Sequence, residues 1–265
     1  MKYCIHYYKG CDCINEVNEI TIKYSKGTQL IDFLNEHKQQ RVNIFIDNLT
    51  NFTDMDFDIV AAAAGSGSYN AVVLVPYDQS IISRCRSHNI PFFINEHCST
   101  WEKVHEHLNY GVSDIYIVEG LLFELDRLAP IIHEANAAIR AFPNIAQSAP
   151  GYNPKLWSQA FIRPEDIAAY EPYIDTFEFM GEISKQAIFY DVYAKQGHWS
   201  ADLNLLIKNL NFSIKNVSLN PSFPEKRISC GRDCIRGGRC RRCKDYITFA
   251  NVLHNNDIII KKKDK

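Results

Sequence analysis

Short β-branched runs that recur with helical segments between them constrain this chain more than any other feature. Val42–Asp47 (VNIFID), Ala71–Val75 (AVVLV), Ile90–Ile94 (IPFFI) and Asp114–Val118 (DIYIV) each read as a strand followed by polar or turn residues. Between them, Gln79–His88 and Thr100–Tyr110 carry apolar residues at three- and four-residue spacing, as in Trp101, Val104 and Leu108. Further on, Leu121–Ala138 reads as a helix, Ile139–Ile145 as a strand, Pro164–Tyr170 as a short helix and Thr176–Met180 (TFEFM) as a strand. Repeated βα units with near-continuous apolar strands imply a parallel sheet.

An open doubly wound sheet and a closed barrel both fit that alternation. No G-x-G-x-x-G follows the first of these strands, which removes the main reason for a dinucleotide-binding sheet. The glycine-rich stretch Ala61–Asn70 (AAAAGSGSYN) lacks the lysine and spacing of a P-loop and reads as a helix end and turn. About seven strand-like segments with short connections favour a TIM-like α/β fold, a βα barrel that is complete, incomplete or distorted. With 265 residues and 46% hydrophobic content, the chain can bury one large core plus a small appendage. The expected division is a barrel over residues 1–225 and a cysteine-rich basic segment with its tail over 226–265.

A formal net charge of -2 gives the molecule no polyelectrolyte character, so any basic site must be local. No run reaches the ~18 apolar residues of a membrane span, and MKYCIHYYKGCDCINE is broken by His6, Lys9 and Asp12 where a secretory segment would be apolar. The expectation is a cytoplasmic protein with no membrane partner. In a reducing compartment, nine cysteines are better explained as ligands or packing residues than as a disulfide framework.

Four of them crowd into CGRDCIRGGRCRRC, where Cys230, Cys234, Cys240 and Cys243 follow a C-x3-C-x5-C-x2-C pattern. Two zinc hooks usually need a longer excursion between them. A compact run of four thiolates suits a 4Fe-4S iron-sulfur cluster, although ferredoxin-type spacings differ from this one. Iron-sulfur is the favoured reading, zinc the alternative, with disulfides or free thiols also open. Arg232, Arg236, Arg239, Arg241 and Arg242 surround the thiols. They offset thiolate charge on the plainer reading, and on the sharper one they bind phosphate or carboxylate groups of a substrate. Cys4, Cys11 and Cys13, with His6, offer a second metal site, against the commoner role of a first-strand cysteine as a small buried residue. Cys85 reads as packing.

Residues at strand C-termini face the shared mouth of a βα barrel. NEHCSTWEKVHEH, following IPFFI, offers Glu96, His97 and Cys98 for acid-base or nucleophilic chemistry there, with Glu96 or Cys98 favoured in the mouth and the histidines, His105 and His107 among them, expected as solvated helix-face residues. Glu96, Cys98, Glu119 and Asn144 are the catalytic candidates on this logic. Asp47, Asn48, Tyr77, Asp78 and Gln147 share the position, with helix capping as the competing role for the Asp and Asn residues.

Three segments carry a family resemblance. Gly111–Pro130 (GVSDIYIVEGLLFELDRLAP), Phe161–Ile167 (FIRPEDI) and Asp175–Tyr193 (DTFEFMGEISKQAIFYDVY) resemble, in order, stretches of the collagenase-like peptidase family, within the central third of the chain. The resemblance implies a βα barrel and adds Arg163 to Arg236, Arg239, Arg241 and Arg242 as substrate-binding candidates. It also implies either peptidase activity or, as in some relatives, iron-sulfur-dependent, oxygen-independent hydroxylation of tRNA or ubiquinone precursors. Glu178 and Glu182 stand where the family tends to carry Lys and Arg, and the cysteines fall after this region rather than before it. Neither H-E-x-x-H nor G-x-S-x-G occurs. The leading expectation is redox modification of a larger substrate such as tRNA or a peptide. The alternatives are a non-catalytic accessory subunit that binds a protein partner through a metal-fixed loop, and a peptidase.

Overall fold

The computed structural model describes residues 1–8, 12–24, 29–47, 49–50, 52–143, 162–180, 185–197 and 228–229. The stretch Cys230–Cys243 with its arginines lies outside them, as do Cys11, Asn48, Asn144, Gln147, Glu182 and the boundary expected near residue 225.

Nine strands form one curled, all-parallel, barrel-like sheet in the order β5-β4-β3-β2-β1-β9-β8-β7-β6. They are β1 (Lys2–His6), β2 (Glu19–Lys23), β3 (Arg41–Phe45), β4 (Ala71–Val75), β5 (Phe92–Ile94), β6 (His97–Cys98), β7 (Asp114–Ile117), β8 (Ala138–Ala141) and β9 (Thr176–Glu178). The two ends of that order, β5 and β6, are separated in the chain only by Asn95 and Glu96. The Ser113 amide, just before β7, donates to the Phe92 carbonyl of β5 at 2.8 Å.

Helices alternate with the strands: α1 (Leu30–Glu36), α2 (Asp54–Gly65), α3 (Gln79–Ser87), α4 (Trp101–Tyr110) and α5 (Leu125–Glu134), of which α3 and α4 follow the expected periodicity closely. Their ends follow local chemistry. Thr53 and Asp56 make a reciprocal capping box at the start of α2. Asp78 caps α3 through the amides of Ser80 and Ile81, so the capping role expected as its alternative is the observed one. Thr100 caps α4, and Gly111 closes it at φ +74°, a conformation that a side chain would strain. The single helix expected over 121–138 is divided. A 3₁₀ turn spans Glu119–Phe123, Glu124 leaves helical geometry, and after α5 Asn136 turns the chain at φ +58°.

The sheet belongs to one of two compact units, made of residues 1–117, 130–141 and 174–178. Its two faces differ in chemistry. Ile5, Ile20, Ile22, Val42, Ile44, Val73, Ile115, Ile139 and Phe177 are buried on the face that carries the apolar alternates of each strand. Each such side chain contributes about 1.5–3 kcal/mol on burial. The other face carries the polar residues, is largely buried, and holds the candidate site. The second unit comprises residues 118–129, 142–173 and 179–265. Its described part includes α6 (Ile167–Tyr170), α7 (Gln186–Tyr190) and a π-helical turn over Asp191–Gln196. Phe179 packs against the rings of Phe189 and Tyr193, and the Tyr193 hydroxyl donates to the Ile162 carbonyl at 2.8 Å.

Among the described residues, no helix is long and apolar enough to cross a membrane.

Candidate functional site

Strands buried on both faces normally read as unbroken apolar runs. Here one face of β1, β2, β3, β7, β8 and β9 carries polar residues. Cys4 and His6 on β1, Glu19 and Thr21 on β2, Arg41 and Asn43 on β3, Asp114 and Tyr116 on β7, Arg140 on β8, and Thr176 and Glu178 on β9 converge.

Arg140 is the hub. Fully buried, it donates from Nη1 to Glu19 at 2.6 Å and to Asp114 at 3.2 Å, and from Nε and Nη2 to Glu178 at 3.3 and 3.1 Å. Its guanidinium also lies 5.1 Å from the Phe93 ring centroid and 5.7 Å from that of Tyr116. Arg41 adds a second guanidinium, paired with Asp114 and 3.9 Å from Glu19. Thr176 donates to Glu19 at 3.1 Å. Three carboxylates thus share two guanidiniums, the arrangement that makes buried ions tolerable at all. Burial would raise the Asp114 carboxyl, but the charges of Arg41 and Arg140 outweigh it and hold the group below the ordinary carboxylate range.

Glu178 and His6 are the final residues of β9 and β1. Burial would raise the Glu178 carboxyl, but a hydrogen bond from His6, the charge of Arg140 and the Tyr116 hydroxyl hold it at about 2. His6 Nε2 lies 2.8 Å from Glu178 Oε1, and the Tyr116 hydroxyl donates to Oε2 at 2.8 Å. The His6 side chain is 31% exposed, whereas Glu178 is 1% exposed, so the imidazole is where this network meets solvent. His97 sits edge-on to Tyr116 with ring centroids 5.6 Å apart. Desolvation lowers its imidazole pKa, opposed by the Glu178 charge, so at neutral pH His97 is an uncharged base or acceptor. Lys23 and Asp47, at the C-terminal ends of β2 and β3, pair with each other.

Below this end, Cys4 Sγ lies 3.3 Å from Thr21 Oγ1 and accepts from Asn43 at 3.5 Å. Burial and the Glu178 charge push its thiol well above the ordinary range. Cys4 is therefore a packed interior thiol. Cys13 and Cys85 are likewise buried and not in disulfides.

A second constellation lies on the outward side of the same segment. Cys98 Sγ is 3.4 Å from His107 Nδ1, and His107 Nε2 is 3.0 Å from Glu96 Oε2. Lys103 joins Glu96 at 3.2 Å and Glu106 at 3.1 Å. His107 is fully buried, which corrects its expected place on a solvated helix face. Only His105 is exposed there. Burial, followed by the Glu96 charge, pushes the Cys98 thiol to about 12. The Cys98 thiol and the Glu96 carboxylate thus flank the two ring nitrogens of His107. With its thiol held protonated, this Cys-His-Glu chain is no ready nucleophile, since the thiolate is the reactive form. Because successive strand side chains point to opposite faces, His97 is the member of the His97–Cys98 pair on the polar face.

Of the other sequence candidates, Glu119 opens the 3₁₀ turn after β7. Arg163, in the second unit, is buried in a fork to Asp166 at 2.8 and 2.6 Å. Its donors toward that carboxylate are committed to a local turn. Tyr77 is exposed, hydrogen-bonded to Glu106, and carries the Lys103 ammonium 4.6 Å from its ring centroid. Tyr116, Arg140, Glu19 and Asp114 were absent from the sequence candidates, His6 entered only beside the N-terminal cysteines as a metal ligand, His97 only beside Glu96 and Cys98, and Glu178 only as a departure from a family pattern. Among the described residues, no group of three or more His, Cys, Asp or Glu side chains is arranged to hold a metal ion.

Compared with known proteins, the chain matches no family model and no curated sequence.

Proposed function

We propose that this chain is a βα-barrel enzyme that works at the C-terminal ends of its strands, with His6 as the proton-transfer group and Glu178 as the carboxylate that orients it. One observation carries the reading: the buried charged network reaches solvent through an imidazole held 2.8 Å from a carboxylate of pKa about 2. A network serving only to pack the interior would be complete with Arg140, Glu19 and Asp114. The added layer of His6, Tyr116 and Glu178 instead has the composition of an acid-base site, in which the anion fixes the ring and balances the imidazolium formed during proton transfer. The near-continuity of β5 and β6, which sit at opposite ends of the strand order, supports a closed TIM-like ring.

The sequence adds a second element to the proposal. Cys230, Cys234, Cys240 and Cys243 are assigned to a 4Fe-4S cluster, which supplies electron transfer when bound. The reaction class is then an oxygen-independent redox modification of a larger substrate, such as tRNA or a peptide. The acid-base role of His6 does not depend on the cluster.

Anaerobic purification with iron, sulfide and zinc analysis separates the parts of this proposal. Iron and sulfide in the wild type, lost in Cys234→Ser, are expected. Zinc without iron would turn the cysteine segment into a structural clasp and favour an accessory subunit. His6→Ala should retain any metal and fold while losing activity by at least about 100-fold, the usual scale of a removed acid-base group.

A further inference from the structure

We infer that His97 is a second proton-transfer residue of this site, paired with His6 across the hydrogen bond between Tyr116 and Glu178, so that one ring takes a proton from the substrate while the other gives one. This rests on the proposed acid-base site and adds its second working group. The placement follows from the strand segments at the two ends of the sheet order. β5 and β6 are parted only by Asn95 and Glu96, and the two-residue alternation runs through the break. Phe93 and His97 both lie against Tyr116, with ring centroids 5.5 and 5.6 Å from its own. His97 also stands opposite Tyr116 in the register of β6 on β7. On the alternate side, Glu96 and Cys98 meet the two ring nitrogens of His107 on α4, at 3.0 and 3.4 Å. With both neighbours held on that face, His97 is aimed at the other, where it is exposed.

The two imidazoles differ in what surrounds them. His6 Nε2 lies 2.8 Å from Glu178 Oε1, so an imidazolium there has its counter-ion in place. The Tyr116 hydroxyl donates to Oε2 of the same carboxylate at 2.8 Å, and Arg140 of β8 donates to it at 3.1 Å. His97, beside the Tyr116 ring, feels the Glu178 charge, but desolvation outweighs it and leaves the imidazole uncharged at neutral pH. A counter-ion for one ring and a desolvated setting for the other divide acid from base between them. In the resulting step a ring nitrogen of His97 accepts a proton from one substrate atom, and the electron pair of the broken bond stays with the substrate. His6 delivers a proton to the substrate atom that gains the charge. The protons balance, and the step itself needs no oxidant or reductant.

Two measurements on the full chain test this. Imidazole NMR should show His97 titrating below about 6.5, the ordinary value, and lower still in Glu178→Gln, where the charge that raises it is gone. Titration at or above about 6.5, or indifference to Glu178→Gln, overturns the pairing without need of a substrate. The purified chain is also incubated anaerobically, with dithionite as electron source, in peptide and RNA extracts of cells lacking it, and new modified species are read by mass spectrometry. His97→Ala should keep its fold by circular dichroism, form product at least about 100-fold more slowly, and regain at least about tenfold with added imidazole, as a missing proton-transfer ring allows. A loss that imidazole does not restore, or a rate within about threefold of wild type while His6→Ala is inactive, overturns the role of His97 alone. Activity retained in both variants removes the site itself.

Discussion

Replacing Arg140 with methionine keeps much of the side-chain volume and removes the one group that touches Glu19, Asp114 and Glu178 together. Arg41 can still serve Asp114 and approach Glu19, but Glu178 is left with only His6 and Tyr116 among the contacts described above. Breaking a buried ion pair by removing one partner typically costs about 3–5 kcal/mol, most of it from the stranded charge. With a urea dependence of ~3 kcal/mol per molar for a chain of this size, the unfolding midpoint should fall by about 1–2 M at pH 7. The stranded carboxyls can relieve the penalty by taking up protons, so the deficit should shrink when the same titration is run near pH 4.5. Circular dichroism across a urea series at both pH values provides the measurement. A midpoint shift below about 0.3 M, or a deficit unchanged between the two pH values, would refute the claim that these ions hold one another in the interior.

The wild-type acid limb should carry the signature of Glu178. Its native pKa of about 2 lies below the ~4.3 of an unfolded Glu, so its contribution of about 3 kcal/mol is present above pH ~4.3 and is lost as pH falls toward 2. Glu178→Gln should flatten that limb, and an unchanged acid profile would contradict the assignment. Cys98 should resist iodoacetamide at pH 8 in the native state by at least about 100-fold relative to the urea-unfolded chain, because its thiol is buried and titrates at about 12. Peptide mapping of the alkylated residue decides this, and rapid native labelling would reinstate Cys98 as a nucleophile. His107→Leu strands the Glu96 and Cys98 partners of a buried imidazole and should lower stability by about 1–3 kcal/mol in chemical denaturation. A neutral outcome would mean that the relay contributes nothing to holding α4 on the sheet.

Most strands and helices were legible because their signals are local. VNIFID, AVVLV, IPFFI and DIYIV contain all or most of β3, β4, β5 and β7, and Trp101, Val104 and Leu108 all lie in α4. β2 escaped notice, and β1 entered only as the first strand carrying Cys4, because KYCIH and EITIK mix polar with apolar residues and resemble surface segments more than strands buried on both faces. That alternation was itself the available clue to the site. Cys4 and His6, Glu19 and Thr21, Arg41 and Asn43, and Asp114 and Tyr116 are each two residues apart, so each pair shares a face. Seen together, they describe a polar interior rather than four ordinary strands. What no spacing could supply was the pairing of residues distant in sequence, such as Glu19 with Arg140 or His6 with Glu178. His107 was misjudged for a related reason, since its helix face depends on the position of the Cys98 and Glu96 partners and not on its own periodicity.

The account turns on whether chemistry occurs at His6 and depends on the cysteine segment. Mass spectrometry of peptides and RNA nucleosides from cells producing the wild type, His6→Ala or Cys234→Ser, at matched protein levels, tests this most directly. One modified species, present with the wild type, is expected to disappear in both variants. Its persistence in His6→Ala, with or without loss in Cys234→Ser, would contradict the placement of the active site at the ends of β1 and β9.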